Sequence, residues 1–319
     1  EGLVMVMLQQ MMVLFLLMIV GYVCYRTKII TDESSKKLSA IVVNVANPCL
    51  VLGSGLSDQK VPKEELLTTL LIVIAMYGVL MVCAFFVPRV LRVPREGRGT
   101  YGAMTVFTNL GFMGFPVLTS MYGNGALLYA AIFMIPFNVL IYTYGVGALS
   151  MPDLSPDFVE QKGLFAGDFH STLKKIFNVG VIACMMAIIL YFFQPPVPEF
   201  IRATITNLGN LTAPLSMMVI GASLATISLK ELFVDVRLLL FSLIKLLIIP
   251  FVWMTVVCRF VEPGVLRGVC LVMVATPVAS MTAMLAQQSN GDYETSSKGV
   301  ALTTILSVVT MPILAELFL

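Results

Sequence analysis

Charge is scarce in this sequence: Asp, Glu, Lys and Arg make up 12% of its 319 residues, against roughly 25% in soluble domains. The net charge of +2 is too small to favour a nucleic-acid partner. Histidine occurs once, at His170 in a polar loop. Cys24, Cys49, Cys83, Cys184, Cys258 and Cys270 form no CxxC pair and read as small apolar residues. Without a His/Cys/carboxylate cluster no metal site is expected. No phosphate loop, dinucleotide fingerprint or nucleophile elbow occurs either. These absences argue against an enzyme and call for no cofactor. Acids are also missing from the middle of the apolar runs: Asp58, Glu64, Glu65, Asp292, Glu294 and Glu316 all fall near run ends. A carboxylate relay inside a membrane is therefore not visible.

Apolar residues dominate instead, at 58% of the chain, which indicates a polytopic protein whose partner is the lipid bilayer. Runs of spanning length occupy 3–25, 37–57, 65–91, 100–122, 125–149, 172–193, 199–227, 236–260, 264–289 and 294–318. The first run lacks a positive flank before it and a small-residue cleavage site after it, so it is a span and not a leader. Most connections are short. The exception is 150–171, a polar and Pro-containing loop that separates two groups of five spans, 1–149 and 172–319.

Basic residues set the orientation. With the N-terminus outside, the inner loops hold Arg26, Lys28, Lys36, Lys37, Arg89, Arg92, Arg95, Arg98, Lys162, Lys174, Lys175, Lys230, Arg237 and Lys298. The outer loops hold Lys60, Lys63, Arg202, Arg259 and Arg267. Both termini are expected outside a cell membrane and the 150–171 loop in the cytoplasm.

Five is an odd number, so a second half related to the first enters from the opposite side. Inverted repeats of this kind are typical of secondary transporters. Span 2 contains NVANPCLVLGSG and span 7 contains NLTAPLSMMVIG. In each, Asn stands four residues before Pro (Asn44 and Pro48, Asn210 and Pro214), and Gly55 and Gly221 follow at equal spacing. Proline has no N–H to give the carbonyl four residues back, so the carbonyls of Asn44 and Asn210 are freed at matching depths. Spans 4 and 9 are the most interrupted, by NLGFMGFP and by ATPVASMT. Spans 5 and 10 carry Pro136 and Pro312.

Interrupted spans at equivalent places in two halves are the best pointer to a transporter site. A broken helix exposes free N–H groups on one half-helix and free carbonyls on the other, and the N-terminal end attracts anions. Gly111 and Gly114 let the backbone unwind, and Pro116 is expected to open the second half-helix. Asn109 offers a neutral donor and acceptor. Thr276, Ser280 and Thr282 add hydroxyls around Pro277, and Asn44 and Asn47 lie on or near the facing wall. Lys245 is the sole charge deep in a span. At the bilayer centre it costs roughly 2.5–3.5 kcal/mol, so it should face protein or a cavity. There it either compensates the carbonyl ends of the broken helices, contacts an anion, or snorkels to the interface.

The ordered segments VGYVCYRTKII, SSKKLSAIVVNVANPCLVLGSG, TNLGFMGFPVLTSMYG, KLLIIP and ATPVASMTAMLAQQSNGD resemble the auxin efflux carrier family in its short bacterial form, over essentially the whole chain. The resemblance implies an all-α membrane protein of ten transmembrane helices in two inverted five-helix repeats, with broken helices 4 and 9 crossing. It also implies a scaffold of spans 1, 2, 6 and 7, a transport unit of spans 3–5 and 8–10, a homodimer and elevator-like movement. The implied substrate is a small organic anion, either an auxin-like weak acid or a carboxylate such as malate or malonate. Asn109 and Pro116 correspond to the family's crossover Asn and Pro, Pro277 to the span-9 crossover, and Lys245 to a basic residue before the span-8 proline. The alternatives are a sodium-coupled carrier of the bile-acid-symporter type and a membrane protein that senses a ligand without moving it.

Overall fold

A computed structural model describes residues 2–56, 63–150 and 177–319. The 150–171 loop therefore lies, beyond Ser150, outside the described residues, as does the start of the sixth expected span. Helices account for nearly all of what is described: α1 (Gly2–Arg26), α2 (Asp32–Gly55), α3 (Lys63–Val90), α4 (Arg98–Val106), α5 (Leu110–Tyr122), α6 (Ala126–Leu149), α7 (Val179–Phe193), α8 (Glu199–Gly209), α9 (Thr212–Leu224), α10 (Leu229–Val234), α11 (Val236–Val257), α12 (Val265–Ala275), α13 (Ser280–Gln288) and α14 (Tyr293–Phe318). Six of these helices, including α1, α2, α3, α6, α11 and α14, are long and apolar enough to cross a membrane. Large apolar side chains such as Leu8, Met12 and Leu16 on α1, Leu71 and Ile74 on α3, and Ile189 on α7 stand exposed. Only a lipid environment makes so much outward apolar surface stable, and the chain is a multi-pass membrane protein.

The helix starts follow from local chemistry. Thr31 Oγ1 accepts from the Ser34 amide at 3.3 Å, and Ser34 Oγ accepts from the Thr31 amide at 2.7 Å, which closes a reciprocal cap on α2. Asp235 caps α11 through the amides of Arg237 and Leu238, and Asp292 caps α14 through Thr295.

The stretches expected as spans 4, 7 and 9 are each interrupted, by residues 107–109, 210–211 and 276–279. The seventh breaks at Asn210, whose carbonyl has no N–H to meet at Pro214. Three further prolines are absorbed without a break. Five-residue π-turns at Val42–Ala46, Leu110–Gly114 and Ile244–Ile248 each end two residues before a proline, namely Pro48, Pro116 and Pro250. In a wide turn, hydrogen bonds reach five residues back, as from the Asn47 amide to the Val42 carbonyl. The ring then no longer presses on the carbonyl four residues earlier.

Packing is closest where glycines let backbones touch. A Cβ at Gly21 would overlap the Met218 carbonyl, and one at Gly221 would overlap the Met18 carbonyl, so α1 and α9 are in reciprocal contact. Gly55 of α2 meets the Ala187 carbonyl of α7 in the same way, and Gly209 of α8 lies on Leu50 of α2. These are small-residue contacts of the kind that hold helices together in lipid. The remaining long helices, α3, α6, α11 and α14, pack around α4, α5, α12 and α13. We expect Gly221→Val to cost about 1–3 kcal/mol of stability by forced overpacking, read as a lower melting temperature in detergent. An unchanged melting temperature would mean that α1 and α9 separate without loss.

Candidate functional site

Spans 4 and 9 meet at their breaks. The Asn109 amide donates to the Pro277 carbonyl at 2.8 Å, and the Ala279 amide donates to the Phe107 carbonyl at 2.9 Å. Thr108 and Val278 thus form a single antiparallel bridge, with all of 107–109 and 276–279 buried. Each break supplies partners that the other lacks, which answers the need to pair every backbone group away from water.

Neighbouring elements pair the rest. The Val278 amide donates to Thr303 Oγ1 on α14 at 3.1 Å. The Asn109 amide is committed to Pro277, so the Thr105 carbonyl in the last turn of α4 is released from its helical partner. Lys245 takes that carbonyl: its Nζ, on a fully buried side chain, donates to it at 2.8 Å. The Nζ sits at the carbonyl end of α4, where the helix dipole is negative. On α9, the single O–H of Ser216 is within reach of both the Phe112 carbonyl and the Ala213 carbonyl of its own helix, each at 3.1 Å. Phe112 is four residues before Pro116, so its carbonyl is the one that Pro116 cannot serve.

Placement of the sequence candidates is uneven. Asn109, Gly111, Gly114, Thr276, Pro277, Ser280 and Asn47 come together. Gly114 packs against the Thr276 methyl, whose carbon would lie 3.6 Å from a Cβ there. Gly111 packs against the Asn47 side-chain amide, and a Cβ would come within 2.6 Å of Asn47 Nδ2. Four polar atoms here are buried without a protein partner: Thr108 Oγ1, Asn109 Nδ2, Asn47 Oδ1 and Ser280 Oγ. Asn44 does not join them. It is exposed, and its side-chain amide donates to its own helix at Ala40 at 2.9 Å. Thr282 also turns inward on its own chain, donating to the Ala279 carbonyl at 2.7 Å. Pro116 stands in the first turn of the regular α-helical part of α5, Phe115–Tyr122, and the π-turn Leu110–Gly114 precedes it.

Sequence reasoning missed Ser216 and Thr303. Ser216 stands two residues after Pro214, within the segment that signalled span 7, but the Phe112 carbonyl is 104 residues away. Nothing local marks Thr303 among the Ser and Thr residues of α14.

A fold of packed membrane helices with two broken helices crossed at buried, unpartnered polar atoms defines a membrane carrier class. The family model described as membrane transport protein matches residues 6–315. The chain belongs to that family, the family of the auxin efflux carriers. It is similar to an uncharacterized transporter of Methanocaldococcus jannaschii, with 24% identity over 319 residues, covering 96% of this chain and 97% of that one. An uncharacterized transporter of Methanothermobacter thermautotrophicus is similar too, with 24% identity over 308 residues and 93% of each chain.

Removing the hydroxyl in Ser216→Ala strands the buried Phe112 carbonyl. The expected cost is about 1–3 kcal/mol, measured as a fall in melting temperature, with Ser216→Thr recovering part of it. Equal melting of Ser216→Ala and the parent protein would show that the carbonyl finds another donor.

Proposed function

We propose that the protein is a secondary transporter that moves a small organic anion, a weak acid or a mono- or dicarboxylate, by elevator-type alternating access. The carrying observation is the crossing itself. Two half-helices, α5 and α13, begin at the crossed backbone, and their N-terminal ends favour negative charge. Asn109 Nδ2 and Ser280 Oγ lie there without protein partners, as groups kept for a ligand would. Lys245 supports the anion reading over the sodium-coupled alternative. Its Nζ occupies the carbonyl end of α4, where a carrier coupled to a cation could seat the ion.

In this reading the chain has ten spans in inverted repeats, 1–149 and 172–319. The left-handed φ of Gly123 (74°) and Asn290 (53°), shortly after α5 and α13, supports matched ends. The scaffold is α1, α2, α7, α8 and α9, and the close α1–α9 and α2–α7 contacts support it. The transport unit comprises α3 to α6 and α11 to α14. Both termini lie outside the cell membrane, the 150–171 loop is cytoplasmic, and the working form is a homodimer.

The test is uptake into liposomes holding the purified protein, with malate, malonate, succinate, indole-3-acetate and a neutral amino acid, each with and without sodium and proton gradients. Saturable carboxylate uptake is expected. Asn109→Ala should reduce it about tenfold through one lost hydrogen bond to a charged group, with melting temperature kept. Lys245→Ala should reduce it at least as far. Binding of a carboxylate without flux under every gradient would favour the sensing alternative, and full flux in Asn109→Ala would remove that residue from the site.

A further inference from the structure

We infer that Asn47 determines specificity at the crossover by selecting a solute that carries a hydrogen-bond donor beside its carboxylate, as a hydroxycarboxylate does. The inference rests on the carrier reading above and adds to it a demand on the solute.

Asn47 stands at the end of the π-turn of α2 and is brought onto the crossover by Gly111, the one residue type that leaves room for its amide. The contact turns Nδ2 toward Gly111. Asn47 Oδ1 is left buried with no protein donor. An amide oxygen only accepts hydrogen bonds. The other unpartnered atoms at the crossing, Thr108 Oγ1, Asn109 Nδ2 and Ser280 Oγ, can all donate, and together they suit a carboxylate. A plain carboxylate brings only acceptors, so it would satisfy those donors and leave Asn47 Oδ1 facing another acceptor or nothing. A solute with an additional O–H satisfies Asn47 Oδ1 as well. Sites that hydrogen-bond a solute hydroxyl reject the analogue lacking it strongly, because their own buried group is then stranded.

The experiment compares matched pairs in the liposome assay: lactate against propionate, and malate against succinate. The expected result is a preference of about tenfold or more for the hydroxylated member of each pair. Asn47→Ala should lower uptake of the hydroxylated member and bring the ratio close to one. A purely structural role for Asn47 would lower both members together and keep the ratio, which would overturn the assignment. Equal uptake of both members by the parent protein would also overturn it, as expected if the amide presented its NH2 instead, and would leave the carrier reading standing. Uptake of no carboxylate at all would sink the carrier reading and this inference with it.

Discussion

Hydrocarbon offers no hydrogen bonds, so a chain that leaves the helix inside a membrane must find partners for its backbone within itself. At residues 107–109 and 276–279 that demand is met by crossing. Asn109 and Ala279 donate to Pro277 and Phe107, and each break serves as the other's missing turn. Neither is tolerable alone, so the two halves of the chain are committed to one another at this point. Everything else described at the site is arranged around that pair of bonds.

The surrounding groups fall into those that finish the pairing and those that do not. Lys245, Ser216 and Thr303 come from three different helices, and each closes one backbone group left over from a break or a proline. They make the irregular backbone stable. Thr108, Asn109, Asn47 and Ser280 sit among them with buried polar atoms unpaired. Such atoms each carry a cost, and a fold that has spent three long-range bonds on its other backbone groups could have closed these as well. Other such atoms are spread over Thr212, Trp253, Ser296, Ser297 and Thr310, but four meet at the crossing, and that supports the proposed site there.

Much of this was legible in the sequence. Apolar run length gave the helices, and NLGFMGFP and ATPVASMT marked the broken ones. A lone lysine among leucines announced a buried partner. The identity of that partner was not legible, since Thr105 is 140 residues from Lys245 and the carbonyl is free only because Asn109 bonds elsewhere. Proline position marked the start of the regular helix at Phe115 but not the π-turn before it or the non-helical residues 107–109, where the other span reaches. Asn44 and Asn47 read alike as amides just before Pro48. Depth along a helix is written in the sequence, but which of two neighbours faces the partner depended on a turn that the apolar pattern did not reveal.

That turn alters how the helix must be drawn. A π-turn takes in one residue more than an α-turn of the same rise, and each residue accounts for about 100° around the axis. The faces of α2 before Val42 and after Ala46 are therefore out of phase by about that angle relative to an ideal helix. A helical wheel continued from Asp32 assigns Asn47 and its successors to the wrong azimuth. The same slippage applies to α11, where the extra residue falls in the turn that holds Lys245. At Pro48, Pro116 and Pro250 the wide turn before the proline sets the direction in which the next side chains point.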